Sequence, residues 1–243
     1  MLREWKQRVA ADRSRLLAFK DKANGKEVVL LGNGPSLREQ DPAILRGRGC
    51  IATNSGWKWS GSHPDWTVSI LTDTDKYLSL ADELETVTHP VMVGIPFLTL
   101  RAWRGASKNC SPIFLPSELR PDRSCELTPY GEELGYFLLR RKAPQWDLPK
   151  ALNFTGDSVI FAAMQLGVFM GATRLILLGV DMDYSGPSTH FKDGIVHLNP
   201  DYDYEKRAKA SMIACRETLA ARGVELVNAT LGGRVNELAR VSL

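Results

Sequence analysis

Continuous apolar runs separated by glycine-bearing turns set the plan of this chain. Val28-Val29-Leu30-Leu31 has the pattern of a strand covered on both faces, and it breaks into Gly32-Asn33-Gly34-Pro35-Ser36-Leu37. Similar runs predict strands over Cys50–Thr53, Trp66–Leu71, Val91–Ile95, Arg174–Gly179 and Val224–Val227. Between them lie helical patterns. Residues 2–22 carry an apolar stripe of Leu2, Trp5, Val9, Leu16, Leu17 and Phe19, closed by Asn24-Gly25. Residues 159–170 are apolar on most faces, with Ala162, Ala163 and Gly167 small enough for close packing on a sheet. Residues 204–222 are amphipathic and stop at Arg222-Gly223. Strands alternating with helices predict an α/β, Rossmann-like fold: a mostly parallel sheet with helices on both faces.

The 243 residues suit a single Rossmann-like domain over 1–243, with an N-terminal helix over 1–24. From 100 to 150 the periodicity weakens and prolines interrupt it, among them Pro112, Pro116, Pro121, Pro129 and Pro144. Such a stretch inside a compact chain reads as an inserted lid or small subdomain. Composition adds bounds rather than a function. The apolar fraction of 44% and charged fraction of 24% are those of a soluble globular protein, and a net charge of +3 argues for no nucleic-acid partner. The four cysteines are far apart and have no zinc spacing, which points to a reducing cytoplasm. The start of the chain has no apolar signal core. Its basic residues leave peripheral membrane contact open as a second reading, and a homo-oligomer stays open too.

The chemistry collects where strands end. Gly32 and Gly34 allow unusual backbone angles and let a ligand approach the main chain; Pro35 suits a first helical position, and Ser36 can bond the free N–H groups there. The third glycine of a dinucleotide fingerprint and the Lys-Ser/Thr of a P-loop are both missing. Asn54-Ser55-Gly56 forms a second polar strand end, readable as a ligand edge or a plain loop. Asp73 and Asp75 follow the third strand and suit either a Mg²⁺ ion or sugar hydroxyl, or the cap of the next helix. Thr155, Asp157 or Ser158 can cap the apolar helix, whose first N–H groups would then face a phosphate. Asp181-Met182-Asp183-Tyr184 ends the next strand. His190 and His197 follow in a loop, as surface residues or as catalysts.

Taken in order, these blocks resemble a superfamily. Gly32-Asn33-Gly34-Pro35-Ser36-Leu37 is similar to the opening motif of the bacterial CMP-sialic-acid-dependent sialyltransferases, of the motility-associated flagellin glycosyltransferases and of the MptE-like proteins. The run from Thr155-Gly156 to Gly171, the run Leu175 to Asp181 and the ending Asn228-Ala229-Thr230 are similar as well. The resemblance implies metal-independent glycosyl transfer from a CMP-activated, sialic-acid-like donor to a surface glycan or protein acceptor, with no cofactor. It implies donor binding by Asn33, Gly34, Ser36, Asn54, Thr155 and Gly156; Gly32, Pro35, Ser55, Asp73, Ser158 and Asp181, in the same turns and strand ends, complete the candidate donor-binding set. Tyr184 would steady the leaving phosphate, with His197 or His190 as the base. Two rivals remain: a Mg-dependent, pyrophosphokinase-like phosphoryl transfer from ATP using Asp73, Asp75 or Asp181, and a non-catalytic nucleotide-sugar-binding protein.

Overall fold

The computed structural model describes residues 12, 14–72, 74–93, 113–114, 158–185, 190–191 and 203–243, of which 74, 75, 78, 113, 114 and 207 are described for their backbone only. Within these residues the chain forms one eight-stranded sheet: β1 Glu27–Leu31, β2 Gly49–Thr53, β3 Trp66–Leu71, β4 Val91–Val93, β5 Ile113–Phe114, β6 Arg174–Leu178, β7 Glu225–Asn228 and β8 Ala239–Arg240. The order is β5-β4-β3-β2-β1-β6-β7-β8, and every neighbouring pair is parallel. The order reverses between β1 and β6. In open α/β sheets the crevice at that reversal, outside the carboxyl ends of the strands, is where ligands bind. This is the Rossmann-like α/β fold that the apolar runs predict.

Burial explains why the central strands carry unbroken apolar runs. Val28 and Leu30 of β1 join a core with Ile51, Val68, Leu175 and Leu177. Val29 and Leu31 point the other way, with Cys50, Ala52, Ile176 and Leu178. A strand with a core on each face has no position for a polar residue. The first core is covered by two long helices, α1 Val159–Phe169 and α2 Lys209–Ala220. In α1, Ile160, Phe161, Ala162, Ala163, Met164, Gln165, Leu166, Gly167 and Phe169 are all buried, as its all-round apolar pattern requires. Leu37, Leu45, Trp57 and Trp59 pack on the other face. At the amino end of the sheet Arg174 pairs with Glu27 at 2.7 Å and with Glu225 at 2.9 Å. All three are partly exposed, so the trio fixes register more than it adds stability.

Several local expectations change. The chain after the glycine turn forms two 3-10 turns, Pro35–Glu39 and Pro42–Leu45, instead of an α-helix. Pro42 is the reason: it drives the preceding Asp41 into an extended conformation, so no helix begun at Pro35 can run through it. The helix predicted over 204–222 is broken at Ala208 into Tyr204–Arg207 and α2. Residues 14–17 are helical, as predicted for the N-terminal segment. Leu16 and Phe19 are buried, but Leu17, placed on the same stripe, is 45% exposed. Leu2, Trp5 and Val9, and the segment 100–150 apart from the β5 residues, lie outside the described residues. Among the described residues no helix is long and apolar enough to cross a membrane.

Candidate functional site

The turn Gly32–Ser36 leaves β1 at the reversal point, and its two flanks behave differently. On the β6 side, Gly32 N–H donates to Leu178 O and Gly34 N–H to Gly179 O, both at 2.8 Å. A Cβ at Gly32 would overlap Gly179 O, and one at Gly34 would overlap the carboxylate of Asp181. Both glycines are therefore required by close approach, but the approaching group is the end of β6. The sequence had suggested a ligand in that place. The shape of the motif was legible; what fills it was not.

Ser36 likewise departs from its expected use. Gly34 is the N-cap of the 3-10 turn, with no side-chain cap bond, and Pro35 takes the first position as expected. Ser36 Oγ donates to Asp181 Oδ2 at 2.8 Å, and Ser36 N–H donates to Oδ1 at 3.2 Å. The Asp181 carboxylate thus takes the position that the sequence offered to a phosphate. Burial pushes the Asp181 pKa up, against the pull of the two Ser36 bonds. Its main chain is held as well, because Asp181 O accepts from Arg234 N–H at 2.8 Å. The Asn228-Ala229-Thr230 block belongs to this clasp. Val180 N–H donates to Thr230 Oγ1 at 3.0 Å, Thr230 N–H to Asn228 Oδ1 at 2.9 Å, and Asn228 Nδ2 to Val235 O at 2.9 Å.

The β2 side is less complete. Asn33 Nδ2 donates to Thr53 O at 2.9 Å, and Ser55 Oγ donates to Asn33 Oδ1 at 3.0 Å. Asn54 sits between them with φ +47°, in the left-handed region that asparagine tolerates better than most residues. Its side-chain oxygen is buried with no hydrogen-bond partner among the described residues. A buried amide left in that state costs about 1–3 kcal/mol. Several other side-chain atoms among the described residues share that state, and of them all Asn54 Oδ1 is the one directly after a strand, at the carboxyl edge of the sheet.

Tyr184 and His190 reach the same edge by different routes. Tyr184 follows Asp181 after Met182, which has φ +52°. Its hydroxyl donates to Met182 Sδ at 3.9 Å, and burial, with the nearby Asp181 charge, raises its pKa to about 12. It is a neutral donor at any working pH. Asp183 is instead held below the usual carboxylate range by Ser185, whose Oγ donates to it at 2.7 Å, with Arg234 at 3.4 Å. Phe191 N–H donates to Asn33 O at 2.7 Å, and Arg38 donates to the carbonyls of His190 and Phe191. Arg38 carried no signal in the sequence, because an arginine after a turn is ordinary surface. Ser158 is the side chain that caps α1, accepting from Ile160 N–H at 3.4 Å. His197, Asp73, Thr155 and Gly156 lie outside the described residues. Among the described residues no three His, Cys, Asp or Glu side chains gather as a metal site.

No family model matches this sequence, and no curated protein matches it. Solved structures do. One is the sialyltransferase CstII from Campylobacter jejuni in complex with a substrate analogue, cytidine-5'-monophosphate. It is similar at a TM-score of 0.51 and 12% identity, over 90% of this chain and 86% of that one. The likeness is one of fold. A second structure, the sialyltransferase CST-II in complex with trisaccharide acceptor and CMP, gives a TM-score of 0.49 at 14% identity over the same shares. At 12% identity the first likeness shows a shared α/β fold and lends nothing to the MptE-like placement.

Proposed function

We propose that this chain is a glycosyltransferase that takes an acidic, sialic-acid-like sugar from a CMP-activated donor and passes it to a hydroxyl of a glycan or protein acceptor, without a metal. The observation that carries this reading is the orphaned amide of Asn54. It follows β2 directly, beside the Ser55–Asn33 bond, and a donor that uncovers its buried oxygen would complete it with a ribose hydroxyl or a base amino group. The fold likeness to a sialyltransferase solved with CMP supports the same choice of nucleotide.

In the proposed reaction a neutral imidazole, His190 or His197, accepts the proton of the acceptor hydroxyl. The acceptor oxygen bonds to the anomeric carbon as the bond from that carbon to the phosphate oxygen breaks, and CMP leaves. Tyr184, kept protonated by burial, donates to the departing phosphate in preference to its weak sulfur acceptor. Fixed hydrogen bonds serve here because CMP leaves as a phosphate monoester, already a competent leaving group.

The test is a thermal-shift panel of CMP, CDP, UDP, GDP and ATP, each with Mg²⁺ and with EDTA. CMP at about a hundred times its dissociation constant should stabilise the protein by about 2.7 kcal/mol, and the effect should survive EDTA. Stabilisation by ATP that requires Mg²⁺ would replace this reading with phosphoryl transfer. CMP binding without turnover of any CMP-sugar would leave a non-catalytic binding protein.

A further inference from the structure

The structure assigns Arg38 a positioning role: it fixes the backbone of His190 against the glycine turn, so that the histidine-bearing segment returns to one place at the carboxyl edge. The inference rests on the transferase reading for its catalytic half only. Arg38 Nε donates to Phe191 O at 2.8 Å and Nη2 donates to His190 O at 2.9 Å. Phe191 N–H donates back to Asn33 O at 2.7 Å, and the Phe191 ring packs on the core beneath the turn. The His190 carbonyl and the Phe191 N–H belong to one peptide plane and the Phe191 carbonyl to the next, so these bonds hold the two planes that flank the Phe191 Cα, and with them the peptide that leads out of His190.

The end of β6 and the histidine-bearing residues are fastened to the same five-residue turn. Asp181 is bound by Ser36 and residues 190–191 by Arg38, two positions apart on Pro35–Glu39. The turn that would meet the donor therefore also sets the return of the candidate base. A guanidinium suits this task because its planar fork reaches two acceptors at a fixed spacing, which a lysine ammonium does not. His190 is the candidate catalytic group here; Arg38 acts through it.

The experiment compares full-length wild type with Arg38→Ala and Arg38→Lys. It measures exchange of the Phe191 amide, CMP affinity by calorimetry, and CMP release from CMP-N-acetylneuraminate with and without added guanidinium. Losing the clamp should speed Phe191 exchange about tenfold or more in Arg38→Ala, with neighbouring strand amides unchanged. A small displacement of a reacting group costs on the order of 100-fold in turnover, so kcat should fall by about that factor in Arg38→Ala. KM and CMP affinity should hold, Arg38→Lys should recover only part of kcat, and guanidinium should restore part of it in Arg38→Ala. Unchanged Phe191 exchange would overturn the clamp. Unchanged kcat, or a loss of CMP affinity as large as the loss of kcat, would overturn the positioning role. If wild type neither binds CMP nor releases it, the transferase reading fails and the catalytic half with it; the exchange measurement then still decides the clamp. If Arg38→Ala does not fold, Arg38→Lys carries the same comparison.

Discussion

The two flanks of the Gly32–Ser36 turn are built from the same kinds of residue and are finished differently. Toward β6 and β7 the polar groups close on one another: Ser36 on Asp181, Val180 on Thr230, Thr230 on Asn228, Asn228 on Val235. Toward β2, Ser55 bonds Asn33, Asn33 bonds Thr53 and Thr53 bonds Leu31 O, while Asn54 beside them keeps an amide oxygen buried without a partner among the described residues, as Gln40 does beside Ala229. A flank whose bonds close internally holds the chain together. A flank with an orphaned buried group carries a cost that a bound molecule can remove. Small polar residues beside glycines are thus of two kinds, and the hydrogen-bond account separates them where residue type does not.

The comparison can be broken most severely on the closed flank. Gly34→Ala drives a methyl group into the Asp181 carboxylate and brings it to 2.8 Å from Gly179 O. Overpacking of this kind should cost about 3 kcal/mol in urea unfolding, and adding Asp181→Ala should recover part of it. A fully stable Gly34→Ala would mean that the clasp is loose. Asp181→Ala alone should cost about 1–3 kcal/mol by stranding Ser36, and Asp181→Asn clearly less. The pH dependence follows from the raised Asp181 pKa. The folded state holds that proton more tightly than the unfolded state, so the contribution is present in full below the unfolded value and is lost as pH rises through the folded one. Stability curves of wild type and Asp181→Asn measured from about pH 4 to pH 7 should therefore diverge with rising pH, the variant gaining on wild type. Parallel curves would contradict the shift. The gentlest test lies on the open flank. Asn54→Gly keeps the left-handed backbone and removes the orphan, so stability should move by less than about 1 kcal/mol. CMP affinity should drop about tenfold, the equivalent of one lost hydrogen bond. Unchanged affinity would take Asn54 out of the site.

Most of the sheet was legible because its strands obey one rule over several residues. Trp66–Leu71, the starts of β4 and β6 and the ends of β1 and β2 fall where the apolar runs put them, while β1 and β2 each begin one residue earlier. The two-residue strands Ile113–Phe114 and Ala239–Arg240 were not foreseen, since two residues cannot display a period. The place of the glycine turn was legible too, because a turn that follows an apolar strand of such a sheet falls at its carboxyl edge. Its internal partners were not. Ser36 and Asp181 are 145 residues apart, Arg38 and Phe191 153 apart, and no local pattern announces such pairs. Reading Ser36 as an anion ligand was reasonable chemistry, but a carboxylate of the chain itself stands there.

The position of β1 has a consequence for biosynthesis. Its first residue, Glu27, lies opposite Arg174, so one edge of the central strand has no partner until a residue 147 positions further on has been made. Pairings this distant in sequence form late and slowly, because a long loop must close before any contact rewards it. A nascent chain ending before β6 would hold Val28–Leu31 as an open apolar edge, the kind of surface that draws strands from other molecules. Premature termination in this protein should therefore produce aggregates rather than a smaller folded unit.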